Sequence, residues 1–418
     1  MSVYLKFLQK MLMKIQSLNL VPHLMSLMGT TIFTANTNSV REKIEYRFNY
    51  VGLLFFLLWH SLYFYCSFVS HIEGQTILRL LYDTKLKQYG DSLQDILAFL
   101  YILFLMWKLP FGLSKSIGEL EEFSNIDKTF HRLFQTVTHF QTSLVGLIVI
   151  LIQMALSGIK MWALWMILKD LDAPLPWNKM YDVVYIEMLM LTIANHYCFY
   201  LMMVKERYKT VNKILRAIKD KNSQEYYIFV RERRARNEEK ALQLQEKCVC
   251  EKIKTCANIV STLYESTENS NKKYGVALVF TMFFCLVTIT LNLFYLMEAT
   301  ASGLFYDPPR YCAFLVYVFW HIIVGIAVIY AIVCLCELIV AEAKSTGFVV
   351  HEIINNNVST AITSEAMQLS LQLLHQIPVF TARGLFKLDY LLIMEGARSV
   401  VTFLVMLIQF VTDPPTSL

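Results

Sequence analysis

Charge is scarce in this sequence: Lys, Arg, Asp and Glu make up 17% of 418 residues, where a soluble globular domain carries about 25%. Glycine and proline are also scarce, at 14 and 9. A soluble chain of this length divides into about two or three domains, yet no linker, low-complexity tract or internal repeat marks a division. Strand and hairpin signals are few, which argues against a mainly β fold. The nine cysteines, an odd number, sit mostly inside apolar runs and form no paired framework of the secreted kind. Cys248, Cys250 and Cys256 cluster in a basic stretch, but without CxxC pairs or a nearby His they read as cysteines on a helix surface, and no metal is expected. HExxH, a Gly-rich phosphate loop and a nucleophile elbow are all missing, so neither an enzyme nor a cofactor is expected. Net charge is +5, but no basic face on a soluble domain suggests nucleic acid as a partner.

Long apolar runs are what the chain does have. Hydrophobic residues are 56% of it and its mean hydropathy is +0.45. Seven stretches reach the ~20 residues that cross a bilayer as a helix: Asn49–Ser70, Ser92–Leu113, Thr142–Leu168, Tyr181–Val204, Tyr274–Ala299, Tyr311–Val340 and Leu388–Phe410. The fold class expected is an all-α polytopic membrane protein, because only helices of this length satisfy the backbone inside lipid. Lys and Arg between the spans set the orientation. With the N-terminus inside, the inner segments 1–48, 114–141, 205–273 and 341–387 hold 6, 3, 17 and 2 of them, leaving out Lys387 at the span edge. The outer segments 71–91 and 169–180 hold 3 and 2. The margin survives without the long segment 205–273. The reading is therefore a cytosolic N-terminus and an extracellular C-terminus, the reverse of a G-protein-coupled receptor. Two features point the other way. Glu206-Arg207-Tyr208 imitates the triplet of those receptors, though after the fourth span, and the sequon Asn357-Val358-Ser359 falls in a loop placed inside.

Between the spans, residues 1–48 begin with an apolar helical face, Leu5, Leu8, Leu12, Ile15 and Leu18, that lies on the membrane or packs under the bundle. Residues 205–273 are rich in Lys, Arg, Glu and Gln, with no breaker before Asn269-Ser270-Asn271, so the fourth and fifth spans are expected to run on into the cytosol as helices. In 341–387, Thr360–His375 forms an amphipathic helix with Ile362, Ala366, Leu369 and Leu373 on one side, followed by Pro378 and a turn at Gly384.

The last span, 388–411 with its tail 412–418, carries Asp389, Glu395 and Arg398 and would be a poor lipid-facing helix. At about 100° per residue, Glu395, Arg398, Thr402, Met406 and Gln409 fall within roughly 80° of each other, while Ile393, Ala397, Val400, Leu404, Leu407 and Ile408 form the other face. A polar stripe must point at protein or water, and several copies about an axis would enclose a wet path. Glu395 and Arg398 either face that path or pair between subunits.

The C-terminal residues carry a resemblance. His375, then Gly384-Leu385-Phe386-Lys387-Leu388-Asp389, then Thr402-Phe403, five apolar residues and Gln409-Phe410, is similar to the terminal signature of insect gustatory receptors. That signature is Thr-Tyr, five hydrophobic residues, Gln-Phe; here Phe403 replaces the Tyr, so any bond of its hydroxyl is missing. The match covers about the last forty residues, and the rest agrees in topology, length and loop charge. The resemblance implies the insect chemoreceptor channel fold, related to odorant receptors, in which tastants open a tetrameric cation channel. Seventh helices line the pore, with Gln409 and Phe410 as an outer gate and Glu395 and Arg398 about 18–22 Å inward. The outer bundle would be 49–204 with 274–340; the anchor would be 205–273 with the pre-pore helix of 341–387. It further implies a multi-pass plasma-membrane protein of sensory neurons, with a small-molecule tastant, cations, membrane lipid and other gustatory receptor subunits, as a homotetramer or heterotetramer, for partners.

For the ligand pocket, the outer-half aromatic and polar residues are Trp162, Trp165, Tyr185, Glu187, Asn292, Tyr295, Tyr317, Trp320 and His321. Any one of them more often packs a helix than touches a ligand, so only the set is informative. Several aromatics with few carboxylates lean toward a bitter or other apolar tastant over a sugar. The alternative function is a pore-less seven-helix receptor that signals through a partner protein. The orientation yields a direct check: an epitope tag after Leu418 is expected to be accessible on intact cells, and a tag reached only after permeabilisation contradicts it.

Overall fold

In the computed structural model the chain is described at residues 27, 29, 33–37, 44–74, 85–134, 142–170, 176–231, 236–301, 306–356 and 359–412, with the side chains of 33–47, 105–121 and 221–242 among those left out. The helices are α1 (Tyr50–Ile72), α2 (Lys85–Phe134), α3 (Thr142–Asp170), α4 (Trp177–Arg231), α5 (Arg236–Ala301), α6 (Pro308–Asn356), α7 (Thr360–His375) and α8 (Tyr390–Thr412). Six of them are long and apolar enough over described residues to cross a membrane. The other expected span, Ser92–Leu113, lies on α2, partly among the side chains left out.

Local chemistry explains the ends. Asn49 caps α1, its Oδ1 accepting from the Val51 and Gly52 amides at 3.1 and 3.2 Å. Pro308 and Pro309 open α6, where a missing N–H costs nothing. Ser359 caps α7 by accepting from the Ile362 amide at 3.3 Å. Asp389, counted above as a charge within a span, is the cap of α8, accepting from the Leu392 amide at 3.1 Å.

Several boundaries depart from expectation. The helix carrying the second span is 50 residues long, continuing past the expected end of the span at Leu113 to Phe134. Few strands were expected, yet β1 (Phe33–Thr37) and β2 (Ile44–Phe48) pair antiparallel ahead of α1. The expected helix face of Leu5 to Leu18 lies outside the described residues, as do Asn357 and Val358 of the sequon.

α4 and α6 run parallel along much of their length. Trp320 meets Glu187 near one end, Tyr197 meets Cys336 further along, and Lys219 meets Glu352 near the other. Asn212 ties them in the charge-rich half: its Nδ2 donates to the Glu342 carbonyl at 2.9 Å and its Oδ1 accepts from Thr346 at 2.6 Å. α5 runs antiparallel to α2, with Tyr101 against Thr281 and Gln94 against Thr288. The tract 205–273 is therefore two helices, α4 and α5, whose apolar faces (Val211, Leu215, Ile253, Val260, Leu263) join those of α6 and α7 in one core. This charge-rich end of the bundle is the part expected above to act as the anchor. Arg207 of the receptor-like triplet is part of the packing there, donating to the Met203 carbonyl at 2.8 Å and to Asp127 of α2 at 2.5 Å over the Phe123 ring.

Between α7 and α8 the chain makes a short hairpin, β3 (Thr381–Ala382) with β4 (Phe386–Lys387). Its turn needs positive φ at Arg383 (57°) and Gly384 (79°), and glycine takes the second without strain. Asn271 of α5 clamps it, donating to the Val379 carbonyl at 2.7 Å and accepting from the Thr381 amide at 3.0 Å. Gly275 allows the approach, since a Cβ there would lie 2.5 Å from the Arg383 nitrogen. The hairpin thus fixes where α8 begins.

Leu369 of α7 is 1% exposed in the anchor core. Leu369→Ala is expected to cost about 2–5 kcal/mol, read as a lower thermal unfolding midpoint of the detergent-solubilised chain. An unchanged midpoint would contradict this packing.

Candidate functional site

α8 leans on the bundle by one face. Val400 and Gly396 are buried, and Leu404 and Leu407 are half-buried against α5 and α6. Only 11% of its apolar stretch is buried, against 61% for α4 and for α5. At about 100° per residue, Glu395, Arg398, Thr402, Met406 and Gln409 stand about 160–240° around the helix from Val400, and all are exposed. Ala397 and Ile408, expected on the packed face, are exposed at its edge. The hydroxyls of Ser399 and Thr402 donate back to the Glu395 and Arg398 carbonyls at 2.9 and 3.0 Å. Among the described residues, neither Glu395 nor Arg398 has an ion-pair partner in the chain. Phe410 is in the helix, but its side chain lies outside the described residues.

α1 shows the contrast. It too is little buried, but its exposed residues are mostly apolar, among them Leu54, Leu57, Leu58, Leu62 and Phe68, which suit lipid. α8 exposes charge and amide on the side facing away from its own bundle, with Met394, Val401, Phe403 and Val405 on either flank.

Within the rest of the bundle, two buried lysines are paired internally. Lys160 of α3 pairs with Glu187 of α4 and lies 3.2 Å from His321 Nε2 of α6. Trp320 Nε1 donates to the other Glu187 oxygen at 2.9 Å. Lys179 of α4 pairs with Asp95 of α2 at 2.6 Å and Asp182 at 3.1 Å. Buried ions cost several kcal/mol each unless paired like this. Beside these groups α2, α4, α5 and α6 enclose a cavity of about 70 Å³, lined by carboxylates, Lys179, Phe284 and Tyr317.

The structure divides the expected pocket set. Glu187, Tyr317 and His321 line the cavity. Tyr295 sits beside it, its hydroxyl donating to Asp91 at 3.5 Å, and joins Tyr317 and Trp165 in one apolar cluster. Asn292 is buried with its Nδ2 returned to the Thr288 carbonyl at 2.7 Å. Tyr185 is placed elsewhere, stacked on Tyr181 and bonded to His60 of α1 at 3.2 Å. Trp162 is 62% exposed on the bundle's outer surface, away from the cavity. Sequence reasoning missed Asp91, Asp95, Lys160, Lys179 and Asp182. The count of few carboxylates is corrected: four of them, Asp91, Asp95, Asp182 and Glu187, line this one cavity. The available signal was Lys160, a lysine in mid-span, which needs a carboxylate on a neighbouring span.

Comparison with known proteins is consistent with this architecture. A family model described as 7tm Chemosensory receptor matches residues 18–412. Gustatory receptor 28a of Drosophila melanogaster is 26% identical over 162 residues, 38% of this chain and 35% of that protein. Gustatory receptor 28b of the same organism is 25% identical over 167 residues, 40% of this chain and 35% of that protein. The matched stretch thus spans about a third of these curated relatives. The olfactory receptor OR5 of the insect Machilis hrabei shares the fold, with TM-score 0.57 at 12% identity over 96% of this chain and 98% of that one. Its structure in complex with eugenol superposes with TM-score 0.58, at the same identity and coverage.

The Lys160–Glu187 pair gives a stability test. Glu187→Gln leaves a buried lysine uncompensated and is expected to destabilise by about 3–5 kcal/mol. The double variant Lys160→Met with Glu187→Met is expected to recover most of the loss. Thermal unfolding of the solubilised chain measures both, and a double variant no better than the single one refutes the pairing.

Proposed function

This chain belongs to the 7tm chemosensory receptor family, and on that premise we propose that it is a gustatory receptor acting as a tastant-gated, non-selective cation channel. It is a multi-pass membrane protein with the fold of an insect olfactory receptor, and the family is not enzymatic. In the proposed arrangement four copies, of this chain alone or with other gustatory receptors, place α8 about a central axis in the plasma membrane of a sensory neuron. The N-terminus is cytosolic and the C-terminus extracellular, as the Lys and Arg distribution supports. The charge-rich halves of α4, α5 and α6, with α7, form the anchor between copies. The agonist is a small organic molecule held in the bundle; the olfactory receptor of this fold forms a complex with one small organic molecule, eugenol.

The observation that carries the reading is the exposed polar stripe of α8 opposite its packing face. In hydrocarbon, Glu395 and Arg398 cost several kcal/mol, and a water-filled path or a neighbouring copy removes that cost. Gln409 and Phe410, at the far end of the stripe from the anchor, form the gate: amide oxygens coordinate a passing cation, and phenyl rings close a narrow pore by dewetting. A pore-less receptor would leave the stripe without a role.

Heterologous cells expressing the chain are expected to show tastant-evoked cation current with G-protein signalling blocked. Gln409→Ala is expected to shift unitary conductance or channel block by about twofold or more. Current abolished by the G-protein block would overturn the channel.

A further inference from the structure

The cavity at the end of the bundle away from the anchor has an unbalanced charge. Lys179 is the one cation shared by two carboxylates, Asp95 and Asp182, while Glu187 on the same wall is already met by Lys160. Asp182 is only 5% exposed and lines the cavity; the Tyr63 hydroxyl of α1 interacts with its carboxylate, and its Oδ1 has no close hydrogen-bond partner among the described residues. The Asp95 side chain, also on the wall, is 44% exposed. Asp91 adds a further carboxylate, accepting from Tyr295. Phe284 and Tyr317 supply aromatic faces.

An excess carboxylate with low-dielectric walls attracts a cation far more strongly than it would in water. A metal ion would want several oxygens around it and no ammonium among them, whereas Lys179 stands between the two aspartates. Aromatic faces beside the acids suit a cation with an organic body, whose charge also interacts with the ring quadrupole. A neutral or anionic ligand would leave the excess charge uncompensated.

We propose that this cavity binds a small organic ammonium ion, with its charged nitrogen held by Asp95 and Asp182 and its organic part against Phe284 and Tyr317. The proposal rests on the reading of this chain as a receptor with its agonist in the bundle, and names the chemical class of that agonist.

Three probes of one size separate the charge requirement: phenethylamine, phenethyl alcohol and 3-phenylpropionate, titrated at pH 7 against the purified full chain in detergent. Phenethylamine is expected to bind about tenfold or more tightly than the alcohol, and 3-phenylpropionate not at all. Asp95→Asn is expected to weaken amine binding about tenfold while leaving alcohol binding unchanged. Asp182→Asn should do the same, and if it fails to fold, the part-exposed Asp95 carries the test. Equal binding of amine and alcohol, unchanged amine affinity in Asp95→Asn, or no binding of either phenethylamine or methylamine would overturn the assignment. Because binding is measured without current, the two readings fail separately. A chain that binds the amine but passes no current overturns the channel, and one that passes current to other tastants but binds no amine overturns the ligand class.

Discussion

An ionised side chain at membrane depth has to be compensated, and the way this chain meets that constraint organises the rest of it. In the outer bundle the compensation is internal: Lys160 has Glu187, and Lys179 has Asp95 and Asp182. These pairs join α2, α3 and α4 through charge, and α6 adds hydrogen-bonding contacts from Trp320 to Glu187 and from His321 to Lys160. On α8 the same constraint is unmet within one chain, because Glu395 and Arg398 project away from Val400 and the rest of the bundle. The buried lysines of the bundle thus differ from the charges of α8, which require water or a second copy.

The backbone supports this division. α4 and α6 lie side by side for many turns, and the core they share with α5 and α7 is continuous through the charge-rich half. That half is a rigid base. α8 has no comparable contact; it is held at its start by the Asp389 cap and by a hairpin clamped through Asn271 and Gly275. A helix fixed at one end and lightly packed beyond it has the lower local stability that moving elements require. Its polar stripe can therefore change surroundings without disturbing the anchor.

Much of this was legible because the signals were local. The polar stripe follows from a 3.6-residue period, and the long helices from a tract rich in helix formers with no Gly or Pro. Ser359 and Ile362 to Leu373 announce α7 in the same way. The ion pairs between helices were not legible, because they join residues 27 positions apart for Lys160 and Glu187 and 84 for Lys179 and Asp95; Lys179 and Asp182, by contrast, are neighbours on one helix. Asp95 lay in a span and Asp91 and Lys179 at span edges, where charge is ordinary, so nothing local marked them as partners. Trp162 failed to reach the cavity for a related reason. Composition says an aromatic is present, but only helix rotation says which way it faces, and on α3 that rotation gives Lys160 the interior and Trp162 the outside.

The cavity and α8 are linked by one continuous apolar cluster. Tyr317 belongs both to the cavity wall and to the cluster of Leu164, Leu291, Phe294, Tyr295 and Phe314, and Leu404 and Leu407 of α8 pack against that cluster. Proximity does not by itself transmit a signal; a ligand shifts an equilibrium only by its differential affinity for the two states. An ammonium ion beside Asp95 and Asp182, which Lys179 bridges, would supply such a difference, because its charge favours whichever arrangement of α2 and α4 turns both carboxylates toward the cavity. The organic part would then bear on Tyr317 of α6, next to the leucines by which α8 is attached. A hundredfold preference for the open state corresponds to about 2.7 kcal/mol, within reach of one charge-assisted hydrogen bond at about 1.5–3 kcal/mol with modest help from the aromatic contacts. In the proposed channel the thin attachment of α8 would then have a function: fewer contacts must be exchanged for the pore to change state.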